Sequence, residues 1–295
     1  MQLIAGATGY IGGLLADRLL AEGLDVRCLA RDPDKAARTL GGCEIVRGDV
    51  LERASLDAAL QGVDIAYYLV HSMGRGGDSD FEERDRQGAR NFAAAAAAAG
   101  VERIIYLGGL GEPTSPHLRS RHETAELLAS TGVPLTYFRA SIVIGSGSES
   151  LRTIAYLVRR LPAMVTPSWT STRTQPIAAA DVVEYLAAAP DVPASSGREI
   201  EIGGREVTTY GGLLDICARA QGKRPRPRIG IPLLSPGLSS HWIGLVTPVD
   251  AGVARPLVEG LTTETIVVDP SGMELFDIEP TPLEDAMQKA VDELF

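Results

Sequence analysis

Gly6, Gly9 and Gly12 follow the apolar run Leu3-Ile4-Ala5 and lead straight into a helical pattern of Leu14, Leu15, Leu19 and Leu20. A strand, a glycine turn and a helix in that order build an anion site from main chain alone. Glycine lets the backbone approach a diphosphate, and the first helical turn offers it unpaired N–H groups and the positive end of the helix dipole. The loop Gly6-Ala7-Thr8-Gly9-Tyr10-Ile11-Gly12 therefore predicts a dinucleotide cradle, with Gly6, Thr8, Gly9, Tyr10, Ile11 and Gly12 as its contacts. Its spacing is G-x-x-G-x-x-G rather than G-x-G-x-x-G.

Short apolar runs alternate with helical patterns through the first half. Strands are expected over residues 3–5, 25–30, 44–46, 64–70, 103–107 and 135–144. Helices are expected to about residue 22 and over 55–60, 81–99 and 122–129. That rhythm means βαβ units and an α/β fold with a doubly wound parallel sheet. Beyond about Gly145 it loosens, with helices expected over 151–161, 181–189 and 283–294 and a strand over 199–202. Thr281 is placed to cap the last helix, with Pro282 at its first position. The expected organisation is a nucleotide-binding core over residues 1–145 and a smaller substrate lobe over 146–295, some of whose elements return to the sheet.

A net charge of −10 repels nucleic acid and anionic membrane alike, so neither is expected as a partner. The basic stretch Lys223-Arg224-Pro225-Arg226-Pro227-Arg228 reads as an extended, solvated connector. Cys28, Cys43 and Cys217 lack any spacing for zinc or a disulfide framework, so no metal site is expected. The N-terminus carries no signal-peptide pattern, and no run of apolar residues is long enough to span a bilayer. The expectation is a cytoplasmic protein with reduced thiols, monomeric or homodimeric, acting on a small molecule.

The end of the second strand separates the two nicotinamide coenzymes. An acid there would hold the adenosine ribose 2′-hydroxyl; a guanidinium would hold a 2′-phosphate. The strand ends Leu29-Ala30-Arg31, with Asp32 next and Lys35 nearby, so Arg31 points to NADP(H) in preference to NAD(H).

With these features the chain resembles the extended and atypical short-chain dehydrogenase/reductases, whose nucleotide core is a Rossmann sheet. More narrowly, it resembles their NmrA-like NAD(P)-binding branch. Gly48-Asp49-Val50 is similar to the segment whose aspartate addresses the adenine, which implies coenzyme contacts at Asp49 and Val50. Tyr68-Leu69-Val70-His71-Ser72 resembles the strand end passing under the coenzyme, implying Val70, His71 and Ser72. Gly88 and Asn91 match the following helix, and Tyr137 to Ile142, with Ser141, resembles the segment near the nicotinamide. Arg173 and Asp181-Val182 resemble residues beside a substrate cleft.

Carbonyl-reducing members of the family carry a serine on the fifth strand and Tyr-x-x-x-Lys on the next helix, the tyrosine giving the proton. Here the strand ends Tyr106-Leu107-Gly108-Gly109, and His117 and Arg121 stand at the Tyr and Lys positions. Arg121 is then expected to hold the ribose and His117 to act as the acid, since a free imidazole titrates near pH 6.5. His71 is a second imidazole candidate. Gly74-Arg75-Gly76-Gly77 has the composition of a lid, and Trp169 of a cleft wall, while Glu123 and Glu126 read as a solvated helix face. The expected function is an NADP-dependent oxidoreductase passing hydride between NADPH and a small or medium carbonyl or activated alkene. The alternative is a non-catalytic NAD(P)-binding redox sensor or assembly protein; a sugar-nucleotide epimerase ranks third, having lost Ser and Tyr.

Overall fold

The computed structural model describes residues 1–71, 81–166, 168–230 and 263–295. Its central element is a parallel sheet of seven strands: β1 (Gln2–Ala5), β2 (Val26–Ala30), β3 (Glu44–Arg47), β4 (Ile65–Tyr68), β5 (Arg103–Gly109), β6 (Leu135–Ala140) and β7 (Glu199–Ile202). Their spatial order is β7-β6-β5-β4-β1-β2-β3. The chain winds outward from β1 through β2 to β3, then returns to place β4 on the other side of β1. The winding therefore reverses between β1 and β4, and a crevice opens beyond the carboxyl ends of those two strands.

The strands read as continuous apolar runs because both faces of the sheet are covered. Ile4, Cys28, Tyr67, Ile105 and Phe138 pack on one face against Leu15 and Leu19 of α1 (Tyr10–Ala21) and Val182 and Leu186 of α7 (Ala179–Ala188). Leu3, Ala66, Tyr68, Ile104 and Tyr106 pack on the other against α3 (Arg53–Ala59), α4 (Phe81–Ala99) and α5 (Pro116–Ala129). Each such leucine or phenylalanine contributes about 1.5–3 kcal/mol by leaving water. A fork from Arg18 in α1 to Glu184 in α7, at 2.8 and 3.1 Å, ties the late helix to the early one.

The second half of the chain thus divides. α7 and β7 complete the sheet and its core, while α6 (Glu149–Arg160), α8 (Tyr210–Ala220) and α9 (Leu283–Leu294) bury a cluster of their own, including Leu151, Leu213 and Met287. Cys28 and Cys217 are buried, and all three cysteines are free.

Several local expectations are revised. α5 begins at Pro116, well before residue 122, because Ser115 accepts the Leu118 N–H at 3.2 Å and Pro116 takes the first helical position. The run 135–144 breaks into β6 and the short strand Val143–Ile144. Thr281 does not cap α9: its hydroxyl donates to Asp181 Oδ1 at 2.7 Å, and the Leu283 N–H is taken instead by Glu206 at 3.1 Å. The basic connector is partly ordered too. Lys223 and Arg226 donate to the last carbonyls of α6, and Arg228–Gly230 pairs as a strand with Met164–Thr166. Among the described residues no helix is long and apolar enough to cross a membrane.

Candidate functional site

Gly6 leaves β1 with φ of +100°, a left-handed conformation that glycine adopts freely. A Cβ at Gly6 would stand 2.5 Å from the Leu69 carbonyl oxygen, beyond β4, and a Cβ at Gly12 would collide with the Gly6 carbonyl. The first and third glycines are therefore required by close packing of strand, turn and helix at the winding reversal. Gly9 is the N-cap of α1 and offers no capping side chain, so the amides that open the helix, from Tyr10 to Gly12, keep no intrahelical acceptor. This is the geometry a diphosphate fills, and the residues present fit a dinucleotide coenzyme. The ring of Tyr10 lies against Gly145 and Gly147, where any side chain would strike it.

Arg31 follows β2 and is exposed. The neighbouring Asp32 accepts the Lys35 N–H at 3.1 Å as the N-cap of α2 (Pro33–Ala36), so this carboxylate has a structural task of its own. Past β3, Asp49 folds back to accept the Leu51 N–H at 3.0 Å. Asn91 of α4 donates to the Val50 carbonyl at 2.9 Å, and a Cβ at Gly88 would press on Val50 and on the Tyr68 hydroxyl. The two matched residues of α4 thus set the position of the Asp49–Val50 segment at the sheet's carboxyl edge.

His117 and Arg121 stand one turn apart in the first half of α5. Burial, and then the charge of Arg121, push the His117 imidazole down to about 3, although the residue as a whole is only half-buried. The expected near-neutral acid is accordingly a neutral imidazole at physiological pH. The family serine is not simply missing. A Cβ at Gly108 would lie 2.7 Å from Tyr137 Cε2, and one at Gly109 would lie 2.7 Å from Leu118 Cδ2, so the positions are filled from neighbouring elements. Tyr137 is fixed there by stacking on Tyr106 at 5.1 Å between centroids.

Arg139 holds the loop that delivers His117. Its Nη2 donates to the Gly111 carbonyl at 2.6 Å and its Nη1 pairs with Glu199 at 2.7 Å. Thr114 in the same loop meets Thr263 at 2.8 Å. The sequence signal for this clamp is a cation inside the largely apolar run of β6.

Val70 is half-buried and His71 exposed at the end of β4, on the same edge of the sheet. Ser141 follows β6, but its hydroxyl is turned into a buried ring with Thr174 at 2.9 Å and Thr265 at 3.0 Å, themselves 2.8 Å apart. Asp181 accepts both the N–H and the hydroxyl of Thr281, at 2.8 and 2.7 Å, and serves as an anchor for the chain entering α9. Arg173 is exposed. Glu123 pairs with Arg86 at 2.9 Å and Glu126 with His122 at 3.7 Å, each as part of a helix surface. Ser72, the Gly74–Gly77 stretch and the side chain of Trp169 lie outside the described residues.

Residues 6–142 match the model of a family described as NAD(P)H-binding. The (4-alkanoyl-5-oxo-2,5-dihydrofuran-3-yl)methyl phosphate reductase of Streptomyces griseus is 36% identical over 143 residues, covering 47% of this chain and 46% of that protein. Photosystem II assembly factor Ycf39 of Trieres chinensis is 24% identical over 248 residues, covering 82% of this chain and 75% of that one. The NADPH-dependent quinone oxidoreductase of Escherichia coli, solved with NADPH, shares the fold with a TM-score of 0.77 at 22% identity, across 100% of this chain and 99% of that one. The chain spans half the length or less of the curated reductases it matches.

Proposed function

Residues 6–142 match an NAD(P)H-binding family, and we propose that the chain is an NADPH-dependent oxidoreductase of the atypical short-chain dehydrogenase/reductase group acting on a small or medium carbonyl or activated alkene. One observation carries this reading: Arg31, the glycine cradle and the His117–Arg121 pair follow the carboxyl ends of β2, β1 and β5, and that order across the sheet is the order of adenosine, diphosphate and nicotinamide along a dinucleotide. The coenzyme, when bound, supplies the hydride.

The protein's own groups bind and orient. Main-chain amides of the cradle hold the diphosphate, Arg31 pairs with a 2′-phosphate, and the Asp49–Val50 segment borders the adenosine. Arg121, permanently charged, holds the ribose next to the nicotinamide. His117, being neutral, offers an N–H hydrogen bond to the substrate oxygen, and water gives the proton. Similarity to proteins named as reductases supports this assignment.

A second reading is a binding protein that senses or stores the coenzyme without turnover. The crowding at Gly108 and Gly109 favours it, as does the similarity to an assembly factor over most of the chain. Titration of coenzyme fluorescence with NADPH and NADH, for wild type and Arg31→Ala, comes first; tighter binding of NADH by the wild type defeats the role of Arg31. NADPH oxidation is then screened with ketones, aldehydes, enones and quinones, for wild type and His117→Ala. Turnover that slows at least tenfold in the variant supports the enzyme. Silence in every substrate class, with coenzyme bound, moves the sensor ahead.

A further inference from the structure

β2 and β3 end side by side at the adenosine side of the sheet, with Ala30 opposite Arg47 in the parallel register. Arg47, the last residue of β3, is exposed, and its Nη1 donates to the carbonyl of Arg31 at 3.3 Å. The guanidinium therefore folds back over the end of β2, beside the residue already assigned to the coenzyme. Among the described residues no carboxylate pairs with either Arg31 or Arg47, and Asp32 gives an oxygen to the Lys35 N–H. Two cations anchored at adjoining strand ends, one reaching the other's main chain, repel one another, and an anion between them would offset that repulsion. A doubly charged phosphate monoester suits two guanidinium forks better than a carboxylate, which one fork satisfies.

We propose that Arg47 is a specificity-determining residue, closing with Arg31 a two-guanidinium clamp on a phosphate monoester of the coenzyme's adenosine ribose. The inference rests on the coenzyme reading above and extends it to a residue that neither the glycine motif nor the end of β2 indicates. Arg47 is exposed at the end of β3, and far-UV circular dichroism and urea unfolding check that each variant keeps the wild-type fold.

The test is the dissociation constant of NADPH and of NADH, by fluorescence, for wild type, Arg31→Ala, Arg47→Ala and Arg47→Lys, with 2′,5′-ADP and 5′-AMP as competitors. Loss of one charge-assisted contact predicts that Arg47→Ala weakens NADPH and 2′,5′-ADP about tenfold and leaves NADH and 5′-AMP within about twofold. Arg47→Lys keeps the charge without the fork and falls between. An Arg47→Ala protein that binds NADPH as the wild type does, or that loses NADH equally, overturns the clamp. If the wild type prefers NADPH, Arg31→Ala erases that preference and Arg47→Ala keeps it whole, only the role of Arg47 falls. If the wild type has no preference for NADPH, the coenzyme reading falls with it.

Discussion

Replacing His117 with glutamine tests the electrostatics of the site through stability rather than turnover. In the folded protein the imidazole is held down to about 3 by burial and by Arg121, whereas in the unfolded chain it titrates at about 6.5. Between those values the unfolded state binds a proton that the native state does not. Stability from this residue is therefore full above pH 6.5, falls as pH drops below it, and levels off below about pH 3. The slope is at most about 1.4 kcal/mol per pH unit, so acidifying from pH 7 to pH 5 costs about 2 kcal/mol. The residue's partial exposure lowers that to about 1–2 kcal/mol.

Glutamine retains polarity and cannot titrate, so the other carboxylates and histidines cancel in the comparison. Urea unfolding of wild type and His117→Gln at both pH values gives the two stability losses, with m-values checked for constancy. The wild type should lose about 1–2 kcal/mol more than the variant. Arg121→Gln, which removes the second cause of the depression, should shrink that difference. Parallel losses in wild type and His117→Gln, or an NMR titration of His117 near pH 6.5, would refute the reasoning.

Gly12→Ala drives a Cβ into the Gly6 carbonyl; coenzyme affinity should drop more than tenfold, read by fluorescence titration, while far-UV circular dichroism stays native. Gly108→Ser restores the family hydroxyl but presses on Tyr137, so it should cost about 1–3 kcal/mol in urea unfolding, relieved by Tyr137→Leu in the same chain. Asp181→Ala strips both acceptors from Thr281 and should cost about 2 kcal/mol with unchanged coenzyme affinity; a lost affinity would put Asp181 back in the cleft.

The sheet and the cradle were legible because their signals are local. Buried strands read as apolar runs, and the glycine turn joins β1 to α1 within a few residues. What escaped was everything decided at long range. Nothing around Asp181 reveals that its partner is Thr281, a hundred residues on. Ser141 reads as a ligand contact until Thr174 and Thr265 close a ring on its hydroxyl. The early start of α5 has a local signal too: Ser115-Pro116 is a strong helix opening, and it places His117 in the first turn rather than in a loop. The pKa of His117 was likewise unreadable, because it depends on how tightly the ring is enclosed and on Arg121 facing it.

These features bear on which substrate the proposed oxidoreductase would reduce. A simple ketone leaves a strongly basic alkoxide after hydride addition, and that step needs a good acid in place. Among the described residues, those proposed for the site supply none. His117 is neutral, and burial raises the phenols of Tyr68, Tyr106 and Tyr137, so each holds its proton more firmly than free tyrosine does. An enone or a quinone is different, since hydride addition yields a delocalised enolate or phenolate that a neutral N–H can support until water protonates it. The site therefore predicts NADPH oxidation with enones and quinones at rates at least tenfold above those with unactivated ketones of similar size. It also predicts a flat rate between pH 6 and 8, since His117 does not titrate in that window. A simple ketone reduced as fast as its enone, or a rate that follows an imidazole titration near pH 6.5, would mean that a real acid operates in the pocket and that His117 is not held neutral.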